Sequence, residues 1–254
     1  MNWVFPMAGR GTRTSSLGEF KPFIEIRGKR MLGWLLACLK DRIHASDTLS
    51  FVTTSYFEQV YGATAGIEEI LSDLEISGRT EVILCEETPQ GPADSVYRAR
   101  HMFDNDAPVI VVNTDQVVDF DMPEGLAPCS GFLPIYAEFT QKSSYVRIED
   151  GRIVELVEKR NISGLSTCGV YAVSSGHALL TALERQFQSG TTVKGEFYVA
   201  PALNYLVADG FRLTPITARA KFDLGSPDGI FRFCRFCDAL GVREPVRARA
   251  LCAW

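Results

Sequence analysis

The chain has 254 residues, 46% of them apolar and 22% charged, the balance of a folded globular protein and not of a disordered or fibrous one. Its 31 acidic residues outnumber 26 basic ones, and the net charge of −5 argues against a partner with a nucleic-acid backbone, while a local basic patch keeps small anionic ligands in play. Apolar runs such as that around Pro108 to Val112 fall far short of the ~20 residues a bilayer needs, and Met1 to Met7 lack a basic leader region, so neither a membrane span nor a signal peptide is predicted and a cytoplasmic address follows.

In chain order, strands are predicted at Trp3 to Pro6, Leu49 to Thr53, Glu81 to Cys85 and Pro108 to Val112. Helices are predicted between them at Met31 to Ile43, near Phe57 to Leu74 and at Ala93 to Phe103. That alternation predicts a parallel sheet with helices on both faces. The second half turns β-rich over Gly131 to Phe139 and Tyr145 to Val157, where Asp150-Gly151 marks a hairpin turn. Helices at Gly176 to Gln188, Ala200 to Ala208 and Pro227 to Leu240 and a strand at Arg212 to Thr217 complete it, and residues 241–254 form a tail of weak periodicity. Seven cysteines, an odd number mostly within apolar segments, suit reduced thiols; Cys234 and Cys237 have metal-site spacing without a second pair and read as part of an apolar helix face. His44, His101 and His177 sit in no catalytic setting.

The strongest chemical signal follows the first strand: Met7-Ala8-Gly9-Arg10-Gly11-Thr12-Arg13, then Lys21-Pro22. Glycines after a strand let backbone N–H groups approach phosphate oxygens, and Arg13 and Lys21 supply the positive charge a triphosphate needs. The pattern is neither a Walker loop nor a dinucleotide fingerprint, since it lacks the G-K-[ST] of one and the third glycine of the other. A second signal is Val111-Val112-Asn113-Thr114-Asp115, an apolar strand ending in a carboxylate. At the carboxyl edge of a parallel sheet such a group is a hard ligand suited to Mg²⁺, although an isolated strand-end aspartate also commonly caps a turn.

The loop with Lys21-Pro22 resembles the G-x-G-T-R and Lys-Pro signature of the sugar-phosphate nucleotidyltransferases, also called nucleoside-diphosphate-sugar pyrophosphorylases, and the resemblance runs from Asn2 to about Leu240. It implies a Rossmann-like α/β fold, a mixed and mainly parallel sheet flanked by helices with a small β-rich acceptor-binding extension, in one domain over residues 1–240. Catalytic roles fall to Arg13 and Lys21, and the nucleotide is bound by Ala8, Gly9, Gly11, Thr12, Arg13, Gln90 and Gly91. Gln90 and Gly91 match the base-recognition turn, with Pro92 in place of the usual threonine; a helix start with proline in its first turn explains Pro92 equally well. Asp115 and, from a segment similar to W-x-D-x-G-T-P at Lys221 to Pro227, Asp223 are implied as ligands of Mg²⁺. Glu158 and Lys159 resemble Glu-Lys-Pro, with Arg160 replacing proline, and are implied to bind the acceptor together with Glu196. Thr14, Ala8, Phe222 and Ser226 are milder departures.

The implied activity couples a nucleoside triphosphate to a sugar 1-phosphate with release of pyrophosphate, for surface polysaccharide such as capsule. A cytidylyltransferase acting on a phosphocholine-like or phosphorylated amino acid acceptor, and an inactive nucleotide-binding regulator, are the alternatives. Nucleic-acid and membrane partners are not expected, and base, acceptor and homo-oligomeric state are left open.

Overall fold

The computed structural model describes residues 1–9 and 20–242. Its first half alternates strand and helix: β1 (Asn2–Pro6), the two-residue strands β2 (Glu25–Ile26) and β3 (Lys29–Arg30), α1 (Met31–Leu39), β4 (Thr48–Thr54), α2 (Ser55–Tyr61), α3 (Ala63–Asp73), β5 (Arg79–Cys85), α4 (Pro92–Arg98), α5 (Arg100–Phe103) and β6 (Val109–Val112). Strands dominate thereafter: β7 (Gln116–Asp119), β8 (Ser130–Ala137), β9 (Ser144–Glu149), β10 (Arg152–Glu158), β11 (Leu165–Thr167) and β12 (Val170–Val173). The described residues close with α6 (Gly176–Ser189), α7 (Val199–Ala208), β13 (Arg212–Thr217), β14 (Ala220–Asp223) and α8 (Pro227–Ala239).

The helix expected near Phe57 to Leu74 is two. Thr54 caps the start of α2, its hydroxyl accepting the Phe57 N–H at 3.2 Å, and Gly62 ends it in a left-handed conformation at φ 59° with its N–H on the Glu58 carbonyl. One such glycine breaks a helix without disturbing the apolar period, so periodicity alone runs through it. The helix expected at Met31 to Ile43 likewise tightens after Leu39 into a 3-10 turn over Lys40–Arg42.

Among the described residues a ten-stranded sheet has the order β11-β9-β10-β13-β8-β12-β6-β1-β4-β5. It is parallel through β6-β1-β4-β5 and between β13 and β8, and antiparallel at every other neighbouring pair. The expected mixed sheet is found, but its mainly parallel character holds only for the first block, and the β-rich extension belongs to the same sheet. Short reversals such as Asp150-Gly151, both at positive φ, can only join antiparallel neighbours, whereas helical crossovers produced the parallel strands. The second half extends the same sheet by pairing β12 against β6.

Alternation along the central strands feeds two apolar layers. Trp3 and Phe5 of β1 pack on one face with α1 and α3 residues such as Leu36 and Ile67, and Val4 packs on the other with Val96, Leu183 and Leu203. With both faces covered, β1 and β6 are apolar at almost every position, and β4, though it interleaves Leu49, Phe51 and Val52 with serine and threonines, is buried from Leu49 to Thr54. Trp34, Phe233 and Cys237 form a third cluster that fastens α8 to α1. Among the described residues, no helix is long and apolar enough to cross a membrane.

Candidate active site

Strands β6, β1, β4 and β5 are parallel, so their carboxyl ends share one edge. The chain builds outward from β1 to β4 and β5, then returns to place β6 on the opposite side of β1. The order reverses between β1 and β6, and the carboxyl ends of strands at such a reversal are where open α/β sheets take ligands. Ala8 and Gly9 follow β1, Gln90 and Gly91 lie beyond β5, and Asp115 follows β6. Ala8 is buried, while a Cβ placed on Gly9 would meet no described residue within 4 Å. Gly11, Thr12 and Arg13 lie outside the described residues.

Asp115 and Asp223 are 108 residues apart in the chain, and the antiparallel ribbon of β7 and β14 brings them together by setting Asp223 opposite Gln116. A Cβ on Gly225 would lie 2.7 Å from Asp115 Oδ2 and 2.9 Å from Asp223 Oδ1. The two oxygens are therefore separated by no more than the sum of those distances, under about 6 Å, and only glycine fits between them. The Gly225 N–H donates to Asp223 Oδ1 at 2.9 Å, and the Leu224 N–H to the Asp115 carbonyl at 2.8 Å. Ser226 caps α8 by accepting the Gly229 N–H at 3.3 Å, and Gly229 lets the helix press against the Asp223 carbonyl, 1.7 Å from where its Cβ would stand. Lys21 reaches the same place, its ammonium 3.5 Å from Asp115 Oδ2.

Two carboxylates this close suit a hard dication that binds each oxygen at ~2.1 Å directly or through water. Among the described residues no group of three or more His, Cys, Asp or Glu side chains is arranged around a metal position. That donor set fits Mg²⁺, which commonly takes one or two carboxylates and leaves its other positions to water and substrate phosphates.

The turn after β5 is held by the segment that precedes α7. The Phe197 N–H donates to the Gln90 carbonyl at 2.8 Å and the Ala93 N–H to the Phe197 carbonyl at 3.0 Å. Gly91, at φ 106°, is required by that approach, since a Cβ would stand 2.5 Å from the Phe197 oxygen. The Gln90 side-chain amide donates to the Gly195 carbonyl at 3.1 Å, so the turn is bound to the segment that carries Glu196.

Of the three acceptor residues expected from sequence, Lys159 and Glu196 meet through Tyr198. The Lys159 ammonium lies 4.2 Å from the centre of the Tyr198 ring, donates to its hydroxyl and is 3.7 Å from Glu196 Oε2; the Tyr198 hydroxyl in turn donates to Glu196. Glu158, 8% exposed at the end of β10, makes its hydrogen bond elsewhere, accepting the Ser144 hydroxyl, and burial, with the Glu196 charge, pushes its carboxyl above the usual carboxylate range against the pull of Ser144 and Lys159. Neighbouring Tyr171 is buried and pushed up to about 12 by desolvation.

Sequence reasoning missed the ion pair of Lys221 and Glu138, at 2.6 Å, between the ribbon and the end of β8. Burial by itself would raise the Glu138 carboxyl, but hydrogen bonds from Lys221, Thr140 and Ser166 and the Lys221 charge outweigh it and hold the group at about 2 against an ordinary 4.5. A depressed value stabilises the fold fully above pH 4.5, and the contribution is lost as pH falls toward about 2. Glu138→Gln is thus expected to flatten the acid-unfolding limb between pH 4.5 and 2, and superimposable limbs would show that Glu138 titrates normally.

No family model matches the chain, and no curated protein matches its sequence. Solved structures do match. A nucleoside-diphosphate-sugar pyrophosphorylase from Vibrio cholerae RC9 aligns with a TM-score of 0.78 at 23% identity, covering 92% of this chain and 99% of its own. A UDP-glucose pyrophosphorylase from Acinetobacter baumannii aligns at 0.68 and 16% identity over 98% and 96% of the two chains. The inositol-1-phosphate CTP transferase from T. maritima aligns at 0.66 and 15% identity over 92% and 94%. The chain shares the fold of these three structures.

Within that fold, long-range pairing brings Lys21, Asp115 and Asp223 to one place, and a second pairing brings Lys159 to Glu196. Tyr198 had a signal that could have found it, since it lies two residues from Glu196 in an extended stretch and so shares its side. Glu138 had none, because a lone glutamate after an apolar strand is ordinarily a solvated end.

Proposed function

We propose that this chain is a nucleotidyltransferase that joins a nucleoside triphosphate to a sugar 1-phosphate and releases pyrophosphate, a cytoplasmic enzyme of surface polysaccharide synthesis with its machinery in one domain over residues 1–240. The observation that carries this is the convergence of Asp115, Asp223 and Lys21 at the carboxyl edge of a sheet with this fold. An acceptor phosphate oxygen attacks the α-phosphorus in line, a new P–O bond forms, and the bond to the β-phosphate oxygen breaks as pyrophosphate leaves. Such a reaction asks the protein for position and charge and needs no covalent nucleophile. Lys21, with Arg13, steadies the triphosphate, Gln90 and Gly91 receive the base, and Lys159 holds the acceptor phosphate beside Glu196. Mg²⁺, held by Asp115 and Asp223 when bound, would neutralise charge on the attacking and leaving oxygens.

A second acceptor class is favoured by one feature. The Tyr198 ring already takes a cation on its face, with the Glu196 carboxylate at its hydroxyl, an arrangement that would also receive a phosphorylated amine. The deciding experiment is a pyrophosphate-release screen of four nucleoside triphosphates, with Mg²⁺, against sugar 1-phosphates and small phosphomonoesters including amines. Release that depends on both substrates supports the proposal and names the acceptor; nucleotide binding without release from any pair would leave an inactive binding protein.

Lys159→Ala is expected to raise the acceptor KM about tenfold, the worth of one charge-assisted contact, with nucleotide affinity unchanged by direct titration. Equal weakening of nucleotide would move Lys159 to the other substrate.

A further inference from the structure

We infer that Lys221 is a positioning residue: through Glu138 and Ser143 its ammonium sets Lys159 relative to the ribbon that carries Asp115 and Asp223. This rests on the assignment of Lys159 to the acceptor phosphate. The ribbon of β7 and β14 lies outside the ten-stranded sheet, and two strands alone are marginal without packing or anchoring. Arg219 locks one end by a two-pronged contact with the buried Asp119, at 2.8 and 2.6 Å, while Asp223 and Asp115 occupy the other end.

Lys221 and Asp223 are alternate residues of β14 and so face the same side. The Lys221 side chain is only 5% exposed and leaves the ribbon for the large sheet. Its ammonium donates to Glu138 Oε2 at 2.6 Å, Ser166 Oγ at 2.9 Å and Ser143 Oγ at 3.1 Å, so all three of its donors have partners. Glu138 also accepts the hydroxyls of Thr140 and, at 2.9 Å, Ser143. The Ser143 carbonyl takes the Lys159 N–H at 2.9 Å, and Lys159 sits at φ 55°, a left-handed conformation that a lysine keeps only when its surroundings hold it. One continuous set of bonds thus runs from the strand of Asp223 to the backbone of Lys159. The two substrate halves meet at a distance this node decides, and in-line transfer tolerates little error in that distance.

The test uses the full chain with Lys221→Met and, to avoid stranding a buried charge, Lys221→Met combined with Glu138→Gln. Hydrogen exchange reads the anchoring without substrate: the Lys159 amide should exchange about tenfold faster or more in the folded double variant, with amides of α6 and α7 unchanged. The acceptor KM should rise about tenfold while nucleotide affinity, by titration, stays within about twofold. An unchanged Lys159 amide overturns the inference whatever the activity. Faster exchange with an unchanged acceptor KM also overturns it, since the node would then serve stability alone. If the wild-type chain releases no pyrophosphate from any substrate pair, the proposed function falls, and the exchange rate of Lys159 still decides the anchoring.

Discussion

Asparagine at position 115 or at position 223 is expected to lower turnover about 10²- to 10³-fold, the loss typical of removing one preorganised electrostatic partner from a reacting centre. Asparagine keeps the shape of the side chain and its capacity to accept a hydrogen bond, so the Gly225 N–H retains a partner at position 223 and the fold is preserved. What disappears is one negative charge from a place where two carboxylate oxygens lie within about 6 Å, across Gly225. If both act through a single Mg²⁺, the double variant should be little worse than either single one, because groups that work as a unit fail as a unit. Steady-state rates against Mg²⁺ concentration, with circular dichroism to confirm folding, provide the check. Losses that simply multiply, or an unaltered Mg²⁺ requirement in either variant, would dissolve the pairing.

The second large effect concerns the two cations proposed to hold the triphosphate. Lys21→Ala and Arg13→Ala should each weaken nucleotide use tenfold or more, from charge-assisted contacts worth about 1.5 to 3 kcal/mol. For Lys21 the geometry gives a reason. Its ammonium stands 3.5 Å from Asp115 and is largely shielded from solvent, so a phosphate drawn to a metal held by Asp115 would arrive beside a cation already in place. Removing Lys21 also leaves Asp115 without its neighbouring positive charge, which should strengthen Mg²⁺ binding in the absence of nucleotide even as nucleotide affinity falls. Titration calorimetry with Mg²⁺ and with nucleotide separates the two effects. Wild-type nucleotide affinity and activity in both variants would remove the phosphate cradle from this loop.

Much of this site was legible in the chain before any contact was known, because its signals are local. A carboxylate at the end of an apolar strand and a proline opening a helix each depend on a few adjacent residues, and the sequence by itself determined them, together with the alternation of strand and helix through β6. The left-handed turn at Asp150-Gly151 and the strand Arg212–Thr217 were likewise locally encoded. Only the tertiary structure decided which distant pieces meet. Gly225 separates two carboxylates through a cross-strand register, β12 joins the β-rich half to β6, and the Lys221 ammonium finds Glu138 across 83 residues of chain. Period and propensity describe which side of an element is apolar, but a register between strands far apart in sequence is selected by the packing of the whole sheet, and a buried charge finds its partner only once that packing has excluded water around it.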